Sequence, residues 1–241
     1  MNERKLTGKI ARERIRMMEV PRASAELIAG FKSLGDGSGI VSDIMDELGI
    51  TGVIGASVLK PTLSGATIVG SATTVRNIMQ REHVYEAAKK HVNKMAEFEA
   101  HNLAGKGDVL VIDGVAGVSN MGGISAQIGL RQGEAGAIVF GGIRDVEHSR
   151  RIGYPLWATE TTPVTGKWRL ETVEINGDIE IGGVRVSPGD IVMADSTGVC
   201  FIPRARAAEV LALALDKRRK EEQKCQAIDA GVPVPDLQTN A

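Results

Sequence analysis

Apolar positions follow two rhythms along the chain, and the rhythm changes beyond its middle. In the first twenty residues Ile10, Ile15, Met17 and Met18 mark an apolar stripe on a charged arm that ends at Pro21. The arm is expected to be partly helical and to dock on the body or on another subunit. Ser24 is placed to cap a short helix presenting Leu27, Ile28 and Phe31. Val41, Ile44, Met45 and Leu48 follow at i, i+3, i+4 and i+7, one face of a helix that Gly49 stops. The β-branched run within 65–77 predicts a strand. Helical spacing returns from Gln80 to Ala104, through Val84, Ala88, Val92, Met95, Ala96 and Leu103, and predicts one long helix.

Residues 108–113 form a short, nearly all-apolar run, the signature of a strand buried on both faces. A turn at Gly114–Gly117, a helix over 123–132 and a second buried strand over 135–140 complete a βαβ unit, whose crossover is right-handed in nearly all folds. Beyond it the elements shorten. Asn176-Gly177 between 171–175 and 178–181 predicts a hairpin. Gly182-Gly183 and Ser187–Asp190 predict two more turns, leading to strands over 184–186, 191–194 and 198–202. These read as an antiparallel meander that curls into a barrel-like sheet. Pro203 opens a last helix with Val210, Leu211, Ala214 and Leu215 on one face; it is highly charged from 217 to 224 and ends at Gly231. The whole reads as one α/β domain over 23–231, with an arm over 1–22 and an extended tail over 232–241.

Composition narrows the function. Lys plus Arg is 29 against 30 for Asp plus Glu, so no strong basic field exists to hold nucleic acid or an anionic membrane. Aromatic residues, at 3%, are too few for base-stacking platforms. Cys200 and Cys225 make no disulfide framework and read as reduced thiols. The charged N-terminus has no apolar core like a secretory signal, and no run of 18 apolar residues occurs, so a cytoplasmic protein is expected.

The candidate chemistry lies at the ends of the βαβ unit. Gly141-Gly142-Ile143-Arg144-Asp145 follows the second buried strand, where open α/β sheets bind ligands. The glycines are read as letting a ligand approach the backbone. Arg144 is suited to hold a carboxylate or an oxyanion, and Asp145 a hard cation such as Mg²⁺. Gly122-Gly123-Ile124-Ser125 opens the preceding helix, and helix N-termini bind anions. Sequence alone does not bring these two segments together. His83, His91, His101 and His148 match no metal motif and are expected at the surface.

The segments Gly107–Asp113, Gly136–Val139, Gly142–Asp145, Pro188-Gly189-Asp190 and Gly198-Val199 together resemble the RraA-like family. The branch they resemble contains class II 4-hydroxy-4-methyl-2-oxoglutarate / 4-carboxy-4-hydroxy-2-oxoadipate aldolases. Ser42–Gly49 and Thr73–Arg76 look like the family's N-terminal half, and the resemblance spans roughly residues 38–231. It implies a single-domain α/β sandwich with a swivelling-domain-like β-barrel core and flanking N- and C-terminal helices. It further implies trimers or hexamers with sites between subunits. The implied activity is cleavage or decarboxylation of a small 2-keto acid, possible substrates including oxaloacetate, through a pyruvate enolate. In that scheme Asp145 binds Mg²⁺ or Mn²⁺, and Arg144 stabilises the enolate. The turn Gly122-Gly123-Ile124-Ser125 holds the pyruvate carboxylate through the Ile124 and Ser125 N–H groups, and a metal-held water relays the proton. The family also draws a glutamate from a neighbouring C-terminal helix. Glu221 is the candidate, with Glu222 beside it.

One departure stands out. The aldolases carry an acidic residue 21 positions before the arginine, and here that position is Gly123. A related lyase or isomerase acting on a different 2-keto acid is therefore an alternative. Another is an interaction module that inhibits an RNA-degrading endonuclease; members of that kind lack the metal-binding aspartate, whereas Asp145 is present.

Overall fold

The computed structural model describes residues 5–237; residues 1–4 and 238–241, and with them the ends of the expected arm and tail, lie outside the described residues. In chain order a 3-10 turn at Arg12–Arg14 precedes α1 (Ala25–Ser33) and α2 (Ser38–Glu47). Three strands follow, β1 (Val53–Gly55), β2 (Lys60–Pro61) and β3 (Ile68–Met79), then α3 (Val84–Lys89) and α4 (Glu97–Leu103). The centre of the chain holds β4 (Val109–Asp113), β5 (Ser119–Met121), α5 (Gly123–Gln132), β6 (Gly136–Ile143), α6 (Val146–Arg151) and β7 (Leu156–Thr161). Next come β8 (Leu170–Ile175), β9 (Ile179–Ile181), β10 (Val184–Val186), β11 (Ile191–Ala194) and β12 (Gly198–Ile202). The long α7 (Ala207–Asp229) and a 3-10 turn at Val234–Leu237 close the described chain.

The main sheet runs β1-β12-β11-β3-β4-β6-β7-β2, with β5 added on β6 and β8 on β3. β3, β4, β6 and β7 are parallel neighbours, and α5 makes the crossover between β4 and β6. Ile54 of β1 and Trp157 of β7, near opposite ends of this order, share one buried cluster. The same cluster takes Ile179, Ile181, Val184 and Val186 from β9 and β10. The sheet therefore curls around the β9–β10 hairpin into a barrel-like core. A second cluster packs α4 and α5 on the outer face of β4 and β6. A third packs α1, α2 and α7 against β11 and β12.

Ser24 caps α1 as its position predicts, its Oγ accepting the Leu27 N–H at 3.2 Å. α2 has no cap of its own. Asp195, buried in the β11–β12 turn, accepts from the Ser38 N–H at 2.9 Å, the Ser38 hydroxyl at 2.7 Å and the Thr197 N–H at 2.8 Å. Trp157 donates to the Asp195 carbonyl at 2.9 Å, tying this turn to the barrel interior.

Several sequence expectations need correction. The helix expected over 80–104 is two short helices, because His91 takes a left-handed backbone and the segment between them pairs with β8 at Lys94–Glu171. The strands of the expected meander exist, but Asn176-Gly177 does not turn β8 back onto β9. β8 pairs with β3, while Gly182-Gly183 makes the one tight hairpin there, between β9 and β10. Pro203 precedes a 3-10 turn, and α7 begins only at Ala207. The tail up to Leu237 ends in a 3-10 turn rather than extended chain. The arm docks on its own body: Ile10 and Ile15 join the outer-face cluster, and the Arg16 N–H donates to the Ile175 carbonyl at 2.9 Å. No helix of the described residues is long and apolar enough to cross a membrane.

Asp195→Ala would leave three donors of α2 and its neighbouring turn without their acceptor. Unsatisfied buried donors cost about 1–3 kcal/mol, and at this chain length each kcal/mol moves Tm by roughly 2–4 °C. Calorimetry should show Tm falling by several degrees. An unchanged Tm would mean that the trans cap adds no net stability.

Candidate active site

The site forms because β5 adds to the tip of β6. Ser119 lies beside Gly142 and Met121 beside Ile143, so the start of α5 emerges next to the end of β6. The two glycines permit this approach. A Cβ on Gly141 would lie 2.4 Å from Asn120 Nδ2, and one on Gly142 2.5 Å from the Val118 carbonyl oxygen. Gly141 and Gly142 therefore admit a neighbouring strand, not the ligand that the sequence suggested. Asn120, fully buried, pins the incoming loop by accepting the Val115 N–H at 3.1 Å and donating to its carbonyl at 2.9 Å.

Asp145 follows β6 in a left-handed conformation, φ 57° and ψ 37°. Asp tolerates that region better than most residues, and such outliers recur at functional sites. The residue occupies the N-cap position of α6 yet does not cap it with its side chain. Its Oδ2 instead accepts the Gly123 N–H at 3.1 Å. Arg144 Nε lies 3.6 Å from the same oxygen, and the guanidinium makes no other ion pair among the described residues. The first-turn N–H groups of Ile124 and Ser125 have no intrahelical acceptor.

Gly122, Gly123, Ile124, Ser125, Arg144 and Asp145 thus line one cavity of about 290 Å³. Lys9 of the arm, Lys167 of the β7–β8 loop and Glu97 of α4 complete its charged wall. The convergence that sequence left open is real within one chain. Glu221 is not part of it: it lies on α7, in a separate groove with Lys217 and Lys224. Glu222, also on α7, pairs with Arg218 at 3.2 Å.

The expectation of surface histidines holds for His83 and His91 and fails for the other two. His148 is half-buried, and a Cβ on Gly123 would lie 3.2 Å from its ring and 3.1 Å from Asp145 Cβ. Position 123, where the resemblance leads one to expect an acid, is therefore tightly packed. His101 is fully buried. Its Nε2 lies 2.7 Å from Ser125 Oγ and its Nδ1 2.8 Å from Glu134 Oε1, while the Tyr154 hydroxyl donates to Glu134 Oε2 at 2.6 Å. Burial pushes the Tyr154 hydroxyl well above its ordinary pKa, and the Glu134 carboxylate adds to the shift. This chain of polar groups anchors the first turn of α5 from behind. One signal in the sequence marks it: His101 falls among the buried face residues Ala100 and Leu103 of a helix.

The site combines a cradle of backbone N–H groups, a guanidinium fork paired loosely with Asp145, and a carboxylate able to meet a hard cation. Asp145 is half exposed, so it can offer oxygen to a cation that keeps most of its waters, as Mg²⁺ does. Glycine at 122 keeps the cradle beside it uncrowded; a Cβ there would lie 3.1 Å from Asp145 Oδ2 and 3.2 Å from Arg144 Nε. These residues fit a divalent cation held by few protein oxygens.

A mixed sheet of this topology, with an Arg-Asp pair meeting a glycine-opened helix at one cavity, defines a single-domain α/β protein. The chain belongs to the RraA-like family: the Aldolase/RraA family matches residues 40–201. A relative from Halalkalibacterium halodurans with the provisional name 4-hydroxy-4-methyl-2-oxoglutarate aldolase is 30% identical over 194 residues, 80% of this chain and 84% of that protein. Protein DlpA of Legionella pneumophila is 33% identical over 193 residues, 79% of this chain, but the chain spans only 30% of that protein's length. Among solved structures, Streptomyces coelicolor RraAS2, described as an unusual member of the RNase ES inhibitor RraA protein family, superposes with a TM-score of 0.70. It is 28% identical, and the match covers 84% of this chain and 96% of that one. An uncharacterized protein from Pseudomonas syringae shares the fold, with a TM-score of 0.77 at 22% identity, over 92% of this chain and 97% of that one.

His101→Ala should cost about 1–3 kcal/mol, since it strands the Glu134 carboxylate and the Ser125 hydroxyl in the interior. Denaturant unfolding measures this. A change within about 0.5 kcal/mol, the range of a surface substitution, would show that the buried chain does not brace α5.

Proposed function

We propose that this chain is a divalent-metal-dependent lyase that cleaves or decarboxylates a small 2-keto acid through a pyruvate enolate. The observation that carries this reading is the meeting of Arg144, Asp145 and the first turn of α5 in one cavity. The aldolase names of several relatives support the substrate class. The Ile124 and Ser125 N–H groups receive the substrate carboxylate, where the positive end of α5 favours an anion. Arg144 faces the 2-keto oxygen, on which negative charge grows as the bond beside it breaks. Asp145 would hold Mg²⁺ or Mn²⁺, whose charge stabilises the enolate. In this reading the chain works as a homotrimer or homohexamer in the cytoplasm, and Glu221 reaches the metal's water shell from a neighbouring copy. Oxaloacetate is a further candidate substrate, because its decarboxylation leaves the same enolate.

The likeness to RraAS2 favours a second reading, an interaction module that inhibits an RNA-degrading endonuclease. The retained Asp145 and the open cavity beside it favour the enzyme.

The test is pyruvate release from a panel of 4-hydroxy-2-keto acids and oxaloacetate. EDTA should abolish it, and Mg²⁺ or Mn²⁺ should restore it. Arg144→Lys keeps the charge but loses the planar fork, and kcat should fall by the equivalent of about 2–4 kcal/mol, as for other lost oxyanion donors. Asp145→Ala should weaken metal activation, so that raised Mn²⁺ recovers part of the rate. Full activity in excess chelator, or near-normal kcat/KM in both variants, would overturn the assignment.

A further inference from the structure

The family's acidic residue is absent at Gly123, but the cavity still contains a second carboxylate besides Asp145. Glu97 opens α4 and lines the same cavity as Gly122, Ser125 and Arg144. It also lines the small cleft that runs on between Arg144 and Lys167. The helix break that the sequence pattern conceals places it there. The Met95 N–H donates to Asn93 Oδ1 at 3.1 Å, and the Ala96 N–H donates to Thr172 Oγ1 of β8 at 2.8 Å. The Thr172 hydroxyl donates in turn to Asn77 Oδ1 of β3 at 2.8 Å. Residues 93–96 are thus tied to the sheet, and α4 must restart at Glu97, at the mouth of the cavity.

Glu97 makes no salt bridge among the described residues. The charged and titratable groups around it are Lys9 of the arm, Lys167 of the β7–β8 loop, Arg144 and Asp145 after β6, and His101 one turn along α4. Burial pushes its carboxyl above the ordinary pKa, while its own backbone N–H and the neighbouring basic groups act the other way. A carboxyl of raised pKa beside an enolate site is suited to move a proton in both directions.

We propose that Glu97 is the general base and acid of this site, supplying from α4 a carboxylate that position 123 lacks. The assignment rests on the lyase reading above. In the cleavage direction the Glu97 carboxylate takes the proton of the substrate's 4-hydroxyl. The C3–C4 bond breaks, its electron pair forms the enolate, and C4 becomes a carbonyl. Glu97 then returns a proton to C3, giving the methyl group of pyruvate. No oxidant or further reactant is needed. With pyruvate alone the same group removes a methyl proton and returns one from solvent.

The closing experiment follows exchange of the pyruvate methyl protons in D₂O by NMR, with Mg²⁺ present, for the wild type, Glu97→Gln and Glu97→Asp. Oxalate, shaped like the enolate, is titrated calorimetrically into each. Glu97→Gln should slow exchange by about 10²–10⁴-fold, the usual contribution of a positioned acid–base group, with oxalate affinity unchanged. Glu97→Asp should recover part of the rate. In the wild type, kcat should rise with pH through the raised pKa and then level, because the base must be ionised. In the metal-free protein, carbon-13 NMR should show the Glu97 carboxyl titrating above the ordinary glutamate range. Exchange by the wild type and Glu97→Gln at equal rates overturns the assignment but leaves the lyase reading standing. Parallel loss of exchange and oxalate affinity makes Glu97 a binding residue and also overturns it. No exchange by the wild type overturns both.

Discussion

Asp145 ends β6 in a left-handed turn with its carboxylate drawn onto the N–H of Gly123 at 3.1 Å. That contact joins the tip of one parallel strand to the first turn of the helix before it. The Arg144 fork and the Ile124 and Ser125 N–H groups lie around it. The contact in turn requires β5 to lie tight against β6, which the glycines at 141 and 142 allow. Behind it, the buried His101, Glu134 and Tyr154 brace the same helix turn from the interior. The site is therefore held from two sides, by the strand tip and by the core, while its mouth stays open.

Much of this was legible in the residue pattern, for definite reasons. The βαβ unit showed because β4 and β6 are buried on both faces, so their apolar runs are nearly continuous. Arg144 and Asp145 were conspicuous because a charged pair directly follows such a run. The convergence of residues 122–125 with 144–145 was hidden, because β5 has only three residues and a polar sequence, Ser-Asn-Met. β7 was missed likewise, its apolar start giving way to Ala158, Thr159, Glu160 and Thr161. The break between α3 and α4 was invisible because Val92, Met95 and Ala96 keep helical spacing while their backbone is tied to β8. Local periodicity reports burial, and these residues are buried or half-buried against a sheet rather than along a helix.

That hidden break has a chemical consequence. A Cβ on Gly123 would press on Asp145 Cβ at 3.1 Å and on the His148 ring at 3.2 Å. A longer side chain there would need both neighbours to shift by a few tenths of an ångström. The fold instead brings a carboxylate to the cavity from across it, on the first residue of α4. In a pocket of this size the source of an acid–base group matters less than its reach. The cavity thus gathers backbone N–H donors, a guanidinium and two carboxylates.

The central claim is that Asp145, Arg144 and the start of α5 together hold a divalent cation and a pyruvate-like anion. A crystal structure with Mn²⁺ and oxalate tests it most directly, because the anomalous signal of manganese locates the ion without ambiguity. The account predicts the manganese peak on an Asp145 carboxylate oxygen, with one oxalate carboxylate on the Ile124 and Ser125 N–H groups and Arg144 against the other. Manganese bound elsewhere, or an Asp145 carboxylate with no metal and a cavity without oxalate, would contradict it.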